Sequence, residues 1–242
     1  MKKILVCIWM LLIVYSAFAQ SAEQIYEQAF FFSNSDSVVM EVAMTIHERR
    51  GDKERELEIF LENESDGGRR VYMQITRPGF LRNMKYLQHQ DGDGSSQQWL
   101  RTSRGVQRLT SSNSDEPLFG SDFTVGDLSE SAVADYSVSL EEETHEFFII
   151  RAVPENSGSR YAYRLMHISK ESSIIHRVDF YSASSELVKQ YELLSTQNIG
   201  EYIFPETCIM RDLAAGTETE LQFLDLDVDR RIPSRVFNRG NL

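Results

Sequence analysis

The sequence predicts a mainly β protein in which about 11 to 12 short antiparallel strands form a sandwich or barrel, with few helices. Three observations lead there. From Val38 onward apolar and polar residues alternate with a period of two. Clusters of Gly, Ser, Asn and acidic residues interrupt that alternation at intervals of roughly 8 to 12 residues, the rhythm of strands and turns. Only one early stretch has an extended helical period.

The chain opens on Lys2 and Lys3, an apolar run over 4–15 and the small-residue pattern Ala17-Phe18-Ala19. This is the pattern of a secretory signal peptide cleaved near Ala19, and the run is shorter than the ~20 residues a membrane span requires. Cys7 lies inside the apolar run, not at a cleavage boundary, which argues against a lipid anchor. The expected organisation is a signal peptide at 1–19 and a single domain at 20–242, exported to the periplasm. Cleavage removes two lysines and no acid, so the formal charge of -12 becomes -14. An acidic surface of that kind repels phosphate backbones, and nucleic acid is not an expected partner. After cleavage Cys208 is the one remaining cysteine, so no intrachain disulfide can form. Within its strand-like run Cys208 reads as a small buried hydrophobe.

In the mature chain, 21–32 reads as a helix. Ser21 and Gln24 make a capping box, and Ile25, Tyr26, Ala29 and Phe30 share one face. Strands follow over 38–47, 56–62, 71–75 and 84–87, turned by Gly51-Asp52, Gly67-Gly68 and Pro78-Gly79. Next, 98–101 and 106–110 form a hairpin about a turn at 103–105, with Trp99, Val106 and Leu109 as core anchors. A polar loop at 111–116 ends at Pro117. Gly120 then allows a sharp turn, and Ser121 or Asp122 is placed to cap a short helix that carries Phe123, Val125 and Leu128 inward. Seven further alternating runs lie at 136–140, 145–153, 161–168, 174–181, 187–194, 203–210 and 220–227.

At the hairpin and the run Leu118-Phe119-Gly120-Ser121-Asp122-Phe123, followed by Asp127-Leu128, the chain resembles the outer-membrane lipoprotein-sorting (LolA-like) protein family. A Trp-bearing strand, a basic strand and a Gly-Ser-Asp-Phe block occur there in the same order, and the likeness extends over most of the mature chain. The resemblance implies an incomplete antiparallel barrel of LolA/LolB type, covered by a few helices. It also implies an apolar cavity that takes lipid or lipoprotein acyl chains, and a membrane permease as a neighbour.

The residues raise the same question independently. An antiparallel sheet tolerates water on its charged face, but its apolar face must be covered. Two short helices are little cover for so many strands. Either the sheet closes and fills its own interior, or a greasy hollow remains beneath the helices. Strand parity places Met40, Val42, Met44, Leu57, Ile59, Val71, Met73, Ile75, Met84 and Trp99 on the lipid-binding face, with Phe119 and Phe123 near the lid. The methionines suit a surface that repacks around varied ligands, and equally a filled core. Arg101, Arg104 and Arg108 make the hairpin basic, either to meet a head group or partner or to balance surface charge.

Catalytic signatures are missing. There is no Gly-x-Ser-x-Gly, no paired His at helical spacing and no phosphate-binding loop. The acidic loop 91–95 has Thr102 where a calcium-binding loop needs its bidentate acid, so it reads as a turn. His167 and His176 face each other across a hairpin without completing a metal set. No metal, cofactor or enzymatic activity is expected. The expected function is a periplasmic carrier or chaperone for lipid or lipoprotein acyl chains, delivering to an outer-membrane acceptor. The alternative is an envelope sensing or adaptor module working with an inner-membrane permease or signalling partner.

Overall fold

The computed structural model describes residues 20–29, 35–93, 95–110, 116–128, 136–155 and 159–242. The expected signal peptide, Phe30 with the end of the expected first helix, and most of the polar loop lie outside the described residues.

Helix α1 (Ala22–Gln28) begins as its sequence dictates: Ser21 Oγ accepts from the Gln24 N–H and Gln24 Oε1 accepts from the Ser21 N–H. Strands β1 (Ser37–His47), β2 (Lys53–Asn63), β3 (Arg69–Arg77), β4 (Lys85–Gln90), β5 (Ser96–Thr102) and β6 (Gly105–Leu109) form one meander. Strands β7 (Tyr136–Glu143), β8 (Phe147–Pro154), β9 (Tyr163–Ser169), β10 (Ile175–Tyr181), β11 (Leu187–Ile199), β12 (Tyr202–Asp212) and β13 (Thr217–Val228) form another. Among the described residues the sheet has 13 strands, against the expected 11 to 12.

The two meanders are one antiparallel sheet, joined where the first strand meets the last: Val38 pairs with Val228 and Met44 with Leu221. The order β6-β5-β4-β3-β2-β1-β13-β12-β11-β10-β9-β8-β7 leaves β6 and β7 as the two edges, so the sheet is an incomplete barrel. Register shifts between Met40 and Val42, and again between Leu193 and Thr196, interrupt the central ladders. Bulges of this kind increase local twist and bend a strand. The bent sheet has an inner face, to which Val38, Met40, Val42, Met44 and Ile46 contribute their entire row, each buried.

The crossover, residues 116–128 between β6 and β7, lies against this inner face. Leu118, Phe119 and Val125 pack into the first half of the sheet, and Phe123 packs into the second half. It carries the short helix α2 (Val125–Leu128). On the far side, α1 packs Ile25 and Tyr26 against β7 and β8.

The outer face is not left wholly to water. The C-terminal tail, with 3-10 turns at Ser234–Phe237 and Arg239–Asn241, sets Ile232, Phe237 and Leu242 over Tyr72, Leu87 and Trp99. A 2.8 Å bond from His89 Nε2 to the Phe237 carbonyl oxygen and the Arg70 guanidinium over the Phe237 ring fix it. Two hairpin expectations are therefore corrected. Trp99 anchors the outer face, because Leu100 takes the inner position opposite Tyr86, and Val106 is exposed on the edge strand. Leu109 is buried in the inner cluster, as expected.

Candidate functional site: an apolar hollow beneath the crossover

The inner face is not packed solid. A hollow of about 180 Å3 remains between the crossover and the sheet. It is walled on one side by Met40, Val42, Met44, Leu57, Ile59, Val71 and Met73, with Phe123 from the crossover. Of the other residues assigned to the lipid-binding face, Ile75, Met84 and Phe119 belong to the filled core beside the hollow, and Trp99 points the opposite way. A strand has inner-face positions along its whole length, and only tertiary contacts decide which of them meet a neighbour.

The second wall comes from the other meander. Met166, Val178, Phe180, Tyr191, Met210 and Phe223 line it, with Cys208 among them. Sequence reasoning left these residues out of the cavity, although the same period-two signal marks their strands. Which strands share a hollow depends on the β1–β13 pairing, and alternation within a strand carries no information about that. Cys208 is buried, and burial pushes its thiol up to about 12, with a bond to Tyr191 opposing the shift.

The crossover is held by polar contacts that the sequence placed differently. Asp122 was a candidate helix cap, but it ties the loop to β13 instead. Its N–H donates to Thr219 Oγ1 at 2.9 Å, and its carboxylate accepts from the Thr217 and Thr219 hydroxyls. Ser121 closes its own turn, donating from Oγ to the Leu118 carbonyl oxygen at 2.7 Å. The cap of α2 is Thr124 with Asp127: Asp127 Oδ2 accepts from the Thr124 N–H at 2.7 Å, and Thr124 Oγ1 accepts from the Asp127 N–H. Gly120 has φ of 72°, the left-handed region that favours glycine, and turns directly over the Arg55 guanidinium.

Asp127 also forms a buried ion pair with Lys189 of β11, whose ammonium sits 5.6 Å from the centre of the Phe180 ring. The two side chains are 6 % and 2 % exposed, so this pair binds the crossover to the second meander in a place from which water is excluded.

Polar groups at the hollow are few: Arg69, Gln88, Gln90, Asp127 and Arg164. Burial pushes the Arg69 guanidinium down to about 10, which still leaves it charged at neutral pH. The hairpin arginines are not among them. Arg101 and Arg108 share the outer face with Trp99, and Arg104 is at the exposed turn, so none of the three meets a head group lying in the hollow. Ser95, immediately before β5 and after the acidic stretch, bonds to both Asp91 and Asp93. His167 and His176 each stand edge-on to Phe147. Among the described residues no three His, Cys, Asp or Glu side chains converge as a metal set, and no helix is long and apolar enough to cross a membrane.

An open antiparallel sheet bent around an apolar hollow is a LolA-like fold. An outer membrane lipoprotein-sorting protein domain from Vibrio parahaemolyticus superposes with a TM-score of 0.80 at 20% identity, covering 91% of this chain and 95% of that one. A DUF1329 family protein from Desulfovibrio piger does so with a TM-score of 0.80 at 17% identity, over 93% of this chain and 100% of the other. A LolA superfamily protein from Nitrosomonas europaea gives 0.71 at 21% identity, over 93% and 100%. No curated protein matches the sequence. Residues 67–242 match a family model described as uncharacterized protein-like, and the chain belongs to that family.

Proposed function

We propose that this protein is a periplasmic carrier that shelters part of an acyl chain, from a lipid or a lipoprotein, and delivers it to an outer-membrane acceptor. The observation that carries the reading is the unfilled hollow, walled by apolar side chains from both meanders where a filled core would leave no space. Its five methionines, Met40, Met44, Met73, Met166 and Met210, give a lining that adapts to chains of different shape.

The size of the hollow fits transfer better than storage. A dry cavity of ~150 Å3 accommodates a benzene-sized molecule, so a hollow of about 180 Å3 holds on the order of seven carbons. At ~0.8 kcal/mol per methylene that is roughly 6 kcal/mol of burial, before the cost of association is subtracted. A fully enclosed sixteen-carbon chain would contribute about 12 kcal/mol and leave slowly. The closed form thus grips the end of a chain, and deeper entry requires the crossover to lift.

The test is direct. Protein purified from its own periplasm is extracted, and the extract is examined by mass spectrometry, alongside titration with a fluorescent acyl probe. Acyl lipid should co-purify and the probe should bind, while Val42→Phe, which grows into the hollow, weakens the probe and keeps the fold. A lipid-free extract with no probe binding would defeat the carrier reading.

A further inference from the structure

We propose that the hollow selects amphiphiles with an anionic head, carboxylate or phosphate, and that Arg164 is the residue that binds the head. This rests on the reading of the hollow as an acyl site and names the class of ligand it takes.

Arg164 is on the inner row of β9, with Ala152 and Phe180 as its cross-strand neighbours. The side chain lines the hollow. Ala152 leaves the space that the guanidinium occupies, and two tyrosines hold it: its central carbon is 4.3 Å from the centre of the Tyr136 ring and 5.6 Å from that of Tyr26. One terminal nitrogen donates to the Tyr26 hydroxyl, while the Nε–H is buried with no hydrogen-bond partner.

Arg70, Arg77, Arg151, Arg177 and Arg211 of the sheet are paired with carboxylates, and Arg69, the other arginine at the hollow, donates its Nε–H to Asn63 Oδ1. Among the described residues no carboxylate lies in ion-pair contact with Arg164; Asp127, which also lines the hollow, is bonded to Lys189 and favours the Arg164 charge only from beyond contact distance. Aromatic faces orient a cation without neutralising it. A guanidinium stays charged at any ordinary pH, and its planar fork of donors matches a carboxylate or phosphate. A neutral ligand entering here would offer the buried guanidinium nothing, whereas an anionic head would add a counter-charge in contact and accept from the free Nε–H. Chain length would then be read by the methionine-rich wall and head charge by Arg164.

The experiment uses the mature protein at pH 8, with a neutral fluorescent probe, N-phenyl-1-naphthylamine, displaced by palmitate, by hexadecyl phosphate or by methyl palmitate. The wild type should bind the two anions at least tenfold more tightly than the ester. Arg164→Gln should bring the anions to the level of the ester and leave the ester unchanged, and Arg164→Lys should keep part of the preference. Palmitate ahead of hexadecyl phosphate assigns the head to a carboxylate, and the reverse order assigns it to a phosphate. Equal affinity of the wild type for acid and ester overturns the proposal without any variant, as does a preference that survives Arg164→Gln, and either result leaves the carrier reading standing. If neither the probe nor any of the three lipids binds, the carrier reading falls and this inference falls with it.

Discussion

Replacing Asp127 with asparagine should destabilise the protein by about 3 to 5 kcal/mol, the cost of leaving one member of a buried ion pair without its partner. The structure supports the upper part of that range. Lys189 is 2 % exposed and Asp127 is 6 % exposed, so water cannot replace the lost counter-charge. Asparagine retains an oxygen for the Thr124 N–H, which separates the charge effect from the loss of a helix cap. Lys189→Met should cost a similar amount, because it strands the carboxylate instead. The methionine keeps apolar contact with the Phe180 and Tyr161 rings that flank the ammonium. The double variant removes both charges and should lie within about 2 kcal/mol of the wild type, since apolar replacement of a buried pair is often close to neutral. Urea unfolding followed by fluorescence provides the assay, and Trp99, the one tryptophan of residues 20–242, reports from the opposite face of the sheet. Single variants that each lose less than about 1 kcal/mol, or a double variant that loses the sum of the two, would show that the pair does not hold the crossover in the way described.

Three other outcomes follow from single residues. Gly120→Ala should lose about 1 to 2 kcal/mol in the same unfolding assay, because φ of 72° is unfavourable for a side chain while the added carbon meets Arg55 Nη2 at an ordinary 3.5 Å. Cys208 should be inert to a thiol reagent at pH 8 in the native state and react once urea unfolds the chain. Its thiol is raised to about 12 by burial, so its contribution to stability is complete below the unfolded pKa and is lost as pH climbs through the folded value. Native labelling at the unfolded rate would contradict this. His167 and His176 are both lowered chiefly by burial, with Asp179 pulling His167 in the opposite direction. Each favours folding above the ordinary histidine pKa of about 6.5 and loses that contribution as pH falls through its depressed value. NMR titration of the ring protons checks it, and midpoints at or above about 6.5 would refute it.

The strands and their inner faces were legible because a pleated chain puts alternate side chains on opposite sides, and β1 writes that period without interruption from Val38 to Ile46. The capping box of α1 was equally local, since Ser21 and Gln24 are three residues apart and bond to each other. Trp99 was assigned to the wrong face for the reason that makes alternation useful: with a period of two, Trp99 and Leu100 exchange roles under a shift of one residue, and both are apolar. The cover supplied by Ile232, Phe237 and Leu242 carries no periodic signal, and only its contact with Tyr72, Leu87 and Trp99 gives it meaning.

Sequence by itself thus determined the antiparallel class, the row of methionines and the block around Gly120, because each is a matter of neighbours along the chain. Tertiary structure decided that β1 pairs with β13, and thereby that Met44 and Met210 wall the same hollow, that Asp127 reaches Lys189, and that Arg164 lies at the hollow without a carboxylate partner. Those pairings join residues dozens of positions apart, and their energy comes from burial, which depends on where the strands meet and not on the order in which they are written.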